Sequence, residues 1–251
     1  TEFKQRLYDL VGGAASFVEI KTFHSYCFDL LGRIGSVEKS DDVVETAVRK
    51  IQDNEVDISR ITKTVLVIDE AQDMDRNEFN LVNALMARNE DMRVIAVGDD
   101  DQNIYEFRGS DPKYMEMIMN AEGAVKYELS ENFRSRKNLV EFSNSFAATI
   151  NHRIKRYPIV SRRQENGNIE LVHYNSTNLE EPVADAVMHT GTSGSVCVMT
   201  RTNDQALRIA GLLAGKGIRA KLVQSGDRTF RLYNLAELRF FMDMIGMYKD
   251  G

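Results

Sequence analysis

Apolar residues along the chain fall into two patterns: short runs rich in valine and isoleucine, and longer stretches where they recur every three or four positions. The first pattern predicts strands over 64–69 (TVLVID), 93–99 (RVIAVGD), 125–130 (VKYELS), 168–174 (NIELVHY), 195–200 (SVCVMT) and 219–224 (RAKLVQ). The second predicts helices over 22–32, 75–88, 135–150, 179–190 and 203–215. Strand runs without polar alternation, joined through helices, imply parallel sheets buried on both faces, so the expected class is α/β. A basic stretch at 152–163, HRIKRYPIVSRR, breaks the pattern and reads as a connecting segment inside a second domain. At the ends, TEFKQRLYDLVGG places Phe3, Leu7, Leu10 and Val11 on one helical face, and NLAELRFFMDMIGMYKDG is a helical pattern with no stop signal. Both ends read as cuts through a longer protein.

With 251 residues, 43% of them hydrophobic, the chain can bury two modest cores, and two domains are expected. Its net charge of -6 excludes a polycation that coats nucleic acid, so any nucleic-acid site must be local. Cys27 and Cys197 lie far apart with no CxxC and no neighbouring histidine pair, which argues against structural zinc. Both read as buried thiols of a reducing compartment. No apolar run approaches the ~20 residues that span a bilayer, and no signal-like start is present, so the expected location is the cytoplasm.

Candidate chemistry gathers at the carboxyl ends of the predicted strands, where ligands bind in open α/β sheets. TVLVIDEAQD carries its apolar run straight into Asp69, Glu70 and Asp73. Carboxylates at such a position suit a hard cation beside substrate phosphates, although a solvated acidic turn would have the same sequence. The next strand ends in VGDDDQNIYEFRGSD, where Asp99, Asp100 and Asp101 stand side by side before Gln102. Like charges repel at this range, so the triplet needs a positive or protonated partner. In ELSENFRS, Arg134 is either a surface ion-pairing residue or a guanidinium aimed at a transferring phosphate.

VLVIDEAQD, VGDDDQNIYEFRGS and LSENFRS, in that order, resemble the second, third and fourth motifs of the UvrD/Rep helicases of superfamily 1. TFHSYCFDLLG at 22–32 is similar to the family's Thr-Phe-His-Ser element, and VMTRTNDQALRIAGLLAGKGIRAKLV at 198–223 resembles its second motor domain. The resemblance implies two RecA-like P-loop NTPase folds, parallel sheets with flanking helices, as partial motor domains at 1–124 and 125–251. It implies ATP hydrolysis coupled to 3′-to-5′ movement on single-stranded DNA, with duplex junctions as partners. By position, Asp69 would hold Mg²⁺, Glu70 would polarise the attacking water, Gln102 would sense the γ-phosphate and Arg134 would reach the same phosphate. Phe133 stands where the family stacks a tyrosine on adenine. Tyr105 and Phe107 would stack on DNA bases with Arg108 beside them, and Thr22, His24 and Asn203 would touch DNA. On the residues alone, Tyr105 and Phe107 read first as one strand face of a core, and His24 reads equally as a structural histidine. The acidic triplet is expected to face the Mg-nucleotide crevice and, in this chain, to be met by water or free ions.

The chain departs from the family pattern in several places. No GxxxxGK[ST] phosphate loop occurs in it, and the family's fifth and sixth motifs are also absent. The chain is therefore expected to be the middle of a helicase, inactive alone. The subdomain before the Walker B strand is reduced to about 33–62, which puts duplex unwinding in doubt. Phe107 replaces a common tryptophan, and Glu106 adds a negative charge near the DNA path that has no explanation. Two other readings remain open: a non-catalytic DNA-binding clamp derived from a helicase, and a metal-dependent nuclease using Asp69, Glu70 and Asp99 to Asp101.

Overall fold

Several helices begin where a side-chain oxygen can accept a backbone N–H that the helix itself leaves unpaired. The structure, a computed structural model, describes residues 2–32, 41–191 and 194–223. Helix α1 (Glu2–Val11) passes into a 3-10 turn at Gly12–Phe17. Thr22 then accepts the N–H of Ser25 at 3.2 Å and opens α2 (Phe23–Leu30). After α3 (Asp41–Gln52), Asp57 opens the short α4 (Ile58–Ile61). Strand β1 (Val65–Ile68) leads to α5 (Arg76–Arg88), where Asp75 and Glu78 exchange hydrogen bonds as a complete capping box. Such a cap contributes about 1 kcal/mol. Strand β2 (Arg93–Ala96), α6 (Lys113–Met119), β3 (Glu131–Asn132), α7 (Lys137–Ala147), β4 (Val160–Ser161), α8 (Glu180–His189) and α9 (Asn203–Gly215) complete the order.

By contacts the chain divides into two compact units, Thr1–Ile169 and Glu170–Gly251. In the first, β1, α5 and β2 form a βαβ unit with a parallel register that pairs Val65 with Arg93 and Ile68 with Ala96. One core cluster joins Cys27 and Leu30 of α2, Val44, Ala47 and Ile51 of α3, and Leu81 and Leu85 of α5. Val43, Val44, Ala47, Val48, Ile51 and Ile61, from the short stretch before β1, thus belong to the main core. A second cluster, under the end of β1, joins Ile68, Met74, Phe79, Val82 and Tyr114, with the Phe79 and Tyr114 rings stacked at 5.2 Å. In the second unit, Ala184 of α8 and Ile209 and Leu213 of α9 form the buried contact, and Lys216 reaches Asp185 at 2.8 Å.

The predicted helices at 22–32, 75–88, 135–150, 179–190 and 203–215 are present within a few residues. The strands differ. Those at 64–69 and 93–99 form, but the extended runs at 125–130, 168–174, 195–200 and 219–223 carry no ladder, and residue 224 lies outside the described residues. A run of valines makes a strand only when a partner backbone lies alongside it, and the pattern does not supply one. The ladder that does form in that region pairs β3 with β4, in parallel.

The expected burial on both sheet faces is also corrected. Leu66, Ile68, Val94 and Ala96 pack against the helical clusters, whereas Val65, Val67, Ile95 and Val97 are exposed, because the helices that pack on this sheet meet one face of it. Cys27 is buried as expected, and burial pushes its thiol up to about 12. Cys197 is exposed, against expectation, because its run at 195–200 joins no sheet. The helical pattern at 234–251 lies outside the described residues. No helix among the described residues is long and apolar enough to cross a membrane.

Burial pushes the Glu78 carboxyl up to about 7 against the pull of the Asp75 N–H, and the charges of Asp75 and Asp73 add to the rise. The folded chain then holds a proton that the unfolded chain has released, so stability falls as pH rises from about 4.5 to about 7. Glu78→Gln keeps the capping acceptor and removes this dependence. Urea titrations at several pH values should find the variant more stable than the parent at alkaline pH by on the order of 2 kcal/mol. Parallel pH profiles would contradict this.

Candidate functional site

Backbone pairing continues past the end of the β1–β2 ladder and assembles the site. Val97 N–H donates to Ile68 O at 2.8 Å, and Ala71 N–H donates to Val97 O at 2.9 Å. Asp69 to Asp73 are therefore held beside Gly98 to Gln102. Glu70 sits at φ +53° and ψ 46°, a left-handed conformation that costs a non-glycine residue ~1–2 kcal/mol and turns the chain sharply out of the strand. Asp69 accepts the Glu70 N–H at 3.2 Å, and both carboxylates are exposed. They line a cleft of about 1430 Å³ together with Asp99, Asp100 and the uncovered face of the sheet.

Gln72 ties the two strand ends together. It is 2% exposed; its Nε2 donates to Glu70 Oε2 at 2.8 Å and its Oε1 accepts Asp99 N–H at 2.9 Å. Gly98 makes room for it, since a Cβ there would lie 2.7 Å from Gln72 Oε1 and 3.1 Å from the backbone nitrogen of Ala71. Asp99 in turn caps the turn at 100–102, accepting from Asp101 N–H at 3.1 Å and from Gln102 Nε2 at 2.7 Å. Asn103 extends the connection. It donates to Gln72 O at 3.0 Å and accepts from Tyr105 N–H and Ser110 Oγ, both at 3.1 Å.

This chain of bonds ends at an exposed aromatic loop. Tyr105 and Phe107 have ring centroids 6.2 Å apart and tilted by 53°, and Arg108 lies 5.4 and 5.5 Å from the two rings. Phe107 is 77% exposed, so the pair is not a core strand face. An aromatic pair with Phe107 exposed, Tyr105 half-buried and a guanidinium beside them offers faces on which bases of any sequence can stack.

The acidic triplet is met by the protein itself, which corrects the expectation of water or free ions. Arg153 grips Asp101 through Nε and Nη2, both at 2.7 Å, and Lys155 bridges Asp99 and Asp101 at 2.5 and 2.7 Å. Ile154 N–H donates to Asp100 at 2.5 Å. Burial works against charge on Asp101, but the bonds from Arg153 and Lys155 overcome it and hold the carboxyl below its usual range. Lys155 is likewise pushed down by burial and raised on balance by Asp101 and Asp99. The stretch at 152–163 is therefore not a bare connector, because its Arg-Ile-Lys segment meets all three aspartates with two cations and one backbone N–H from within the first unit.

Among the described residues, no group of three or more His, Cys, Asp or Glu is arranged to hold a metal. Asp69 does fit a magnesium ion that keeps most of its water: it is a single exposed carboxylate at a strand end, with one oxygen engaged only by the Glu70 N–H. Asp73 beside it has a buried oxygen without a hydrogen bond, and its carboxyl is raised by burial and by the nearby Glu70.

The remaining predicted residues are not joined to this network. Phe133 and Arg134 are exposed in a turn held by Asn132, whose side chain accepts the N–H of Arg134 at 3.0 Å and of Ser135 at 2.7 Å. Arg163 donates to Phe133 O at 3.1 Å. Among the described residues, no hydrogen bond or ion pair joins the Arg134 side chain to Glu70 or Gln102. Thr22 caps α2, His24 is half-buried on that helix, and Asn203 is exposed at the first turn of α9. Sequence reasoning overlooked Gln72, Asn103, Arg153 and Lys155. The one available signal was a basic stretch in a chain with an unpaired acidic triplet.

The UvrD/REP helicase N-terminal domain matches residues 41–122, and the UvrD-like helicase C-terminal domain matches residues 127–247. The chain belongs to the UvrD/Rep helicase family, and with these matches its α/β architecture is of the RecA-like class. It is 25% identical over 170 residues to the ATP-dependent DNA helicase Rep of Buchnera aphidicola, a match covering 66% of this chain and 25% of that protein. It is 28% identical over 194 residues to the ATP-dependent DNA helicase PcrA of Leuconostoc citreum, covering 72% of this chain and 24% of that protein. DNA helicase II of Haemophilus influenzae is 24% identical over 194 residues, covering 74% and 26%. The chain thus spans about a quarter of the length of these relatives.

The ion pairs around Asp101 are largely shielded from solvent, so removing Arg153 leaves the Asp101 carboxylate with Lys155 alone, a cation it shares with Asp99. Arg153→Met should destabilise the first unit by about 2 kcal/mol, and a denaturation cycle with Asp101→Asn should give a coupling of about 1 kcal/mol or more. Additive effects would show that the two side chains do not stabilise one another.

Proposed function

We propose that this chain supplies the hydrolytic and coupling parts of an ATP-driven motor that moves 3′ to 5′ on single-stranded DNA. The observation that carries the reading is the continuous set of hydrogen bonds from Glu70 through Gln72 to Asp99, Gln102 and Asn103, ending beside the Tyr105–Phe107 pair. It links carboxylates suited to phosphate chemistry with aromatic faces suited to bases.

In this reading Asp69 would hold Mg²⁺, which would offset the negative charge of the transferring phosphate. Glu70 orients and polarises the attacking water, a role that suits an exposed carboxylate held on its inner side by Gln72. Gln102 senses the γ-phosphate, and its bond to Asp99 ties that state to the turn leading to Tyr105. Arg134 stabilises the developing charge and Phe133 stacks on the base of ATP, once the Asn132 turn is brought to the nucleotide. Tyr105, Phe107 and Arg108 hold the strand, with Thr22, His24 and Asn203 as further DNA contacts. The two motor domains divide near 124–125, between the two family matches.

Glu70→Gln in the full-length protein should lower DNA-stimulated ATP turnover by at least ~100-fold while nucleotide binding is largely kept. The 251-residue chain alone, which has no GxxxxGK[ST] loop, should give no turnover. Wild-type turnover by the variant would remove Glu70 from its role. In fluorescence anisotropy with an oligothymidylate, Tyr105→Ala and Phe107→Ala should each weaken binding by ~1–3 kcal/mol, whatever the base sequence. Unchanged affinity in both would remove the loop from the DNA path.

A further inference from the structure

We propose that Gln72 is a positioning residue that sets the Glu70 carboxylate relative to the turn carrying Asp99 and Gln102; this rests on the reading of Glu70 as the residue that orients the attacking water. Gln72 is one of only three buried polar or charged residues among those described, and both ends of its amide are engaged. The backbone N–H of Asp99 can only donate, so Oε1 must face it. That leaves Nε2 for Glu70 Oε2, 2.8 Å away, and fixes the orientation of the amide without ambiguity.

The two partners differ in what they can do alone. Asp99 is held independently, by Lys155 and by the turn it caps. Glu70 is exposed and on a left-handed backbone; its own N–H goes to Asp69, and Gln72 supplies the hydrogen bond that holds its carboxylate. Among the described residues, no other donor reaches that carboxylate. A displacement of the Asp99–Gln102 turn is therefore passed to the Glu70 carboxylate through one rigid, buried amide. The space for that amide exists because residue 98 is glycine. A neutral amide is also the one side chain of this shape that can donate to a carboxylate and accept from a backbone N–H at once, at any pH near neutrality.

The test is ATP turnover by the full-length protein with saturating single-stranded DNA, for Gln72→Met, Gln72→Glu and Glu70→Gln. Met keeps the volume and loses both bonds, so kcat should fall ~10-fold or more with KM for ATP within about twofold, the pattern of an interaction that matters in the transition state. In Gln72→Glu the new carboxylate faces Glu70. Its protonated form restores one donor and one acceptor, so the ratio of its kcat to that of the parent should rise as pH is lowered from about 8 to about 6. Purely structural damage would give a ratio that follows the melting temperature of the variant instead.

Parent-like kcat in Gln72→Met overturns the proposal, and so does a flat pH ratio in Gln72→Glu. If melting curves show that Gln72→Met does not fold, the pH ratio decides. If Glu70→Gln turns over normally, the role of Glu70 fails and this inference with it. If Glu70→Gln is dead and Gln72→Met is normal, this inference alone fails.

Discussion

Two backbone hydrogen bonds beyond the ladder, from Val97 to Ile68 and from Ala71 to Val97, are the constraint on which the site depends. They hold two strand ends together just where the pairing would otherwise splay apart. Every polar contact between the Asp-Glu turn and the acidic triplet presupposes that closeness. The left-handed Glu70 follows from it as well, since the chain must leave the strand sharply if Ala71 is to return to Val97.

Once the strand ends are joined, electrostatics settles what surrounds them. Three adjacent aspartates at a strand end are repulsive unless countered, and an Arg-Ile-Lys segment some fifty residues downstream counters them with two cations and one backbone N–H. The two cations offset two of the three charges, and the result is a turn of defined shape and not an open cation site. Asp69 and Glu70, the two exposed carboxylates at the end of β1, line the cleft with Asp99 and Asp100, while the triplet is also part of the scaffold that carries Gln102 and the aromatic loop.

The uncovered sheet face shows how far local pattern falls short of tertiary arrangement. Val65, Val67, Ile95 and Val97 have the same character as Leu66, Ile68, Val94 and Ala96, yet only the second set meets the helices. Hydrophobicity states that a residue favours burial, and it does not say which element will cover it. For the same reason the runs at 125–130, 168–174 and 195–200 read as strands but form no ladder among the described residues, although Ser130 O accepts the Val160 N–H at 2.7 Å.

The amino-acid sequence by itself determined helices α1, α2, α5, α7, α8 and α9 but not α3, α4 or α6, together with the two strands of the βαβ unit and the motifs that carry Asp69, Glu70, Gln102 and the Tyr105–Phe107 pair. Helical periodicity, caps and short-range spacing are local properties, and motif chemistry sits within a few residues of a strand end. Only the tertiary structure decided that Gln72 is the buried connector and that Arg153 and Lys155 answer the acidic triplet. Those roles depend on contacts across gaps of up to 56 positions, as between Lys155 and Asp99, where side-chain type allows many partners and the fold selects one.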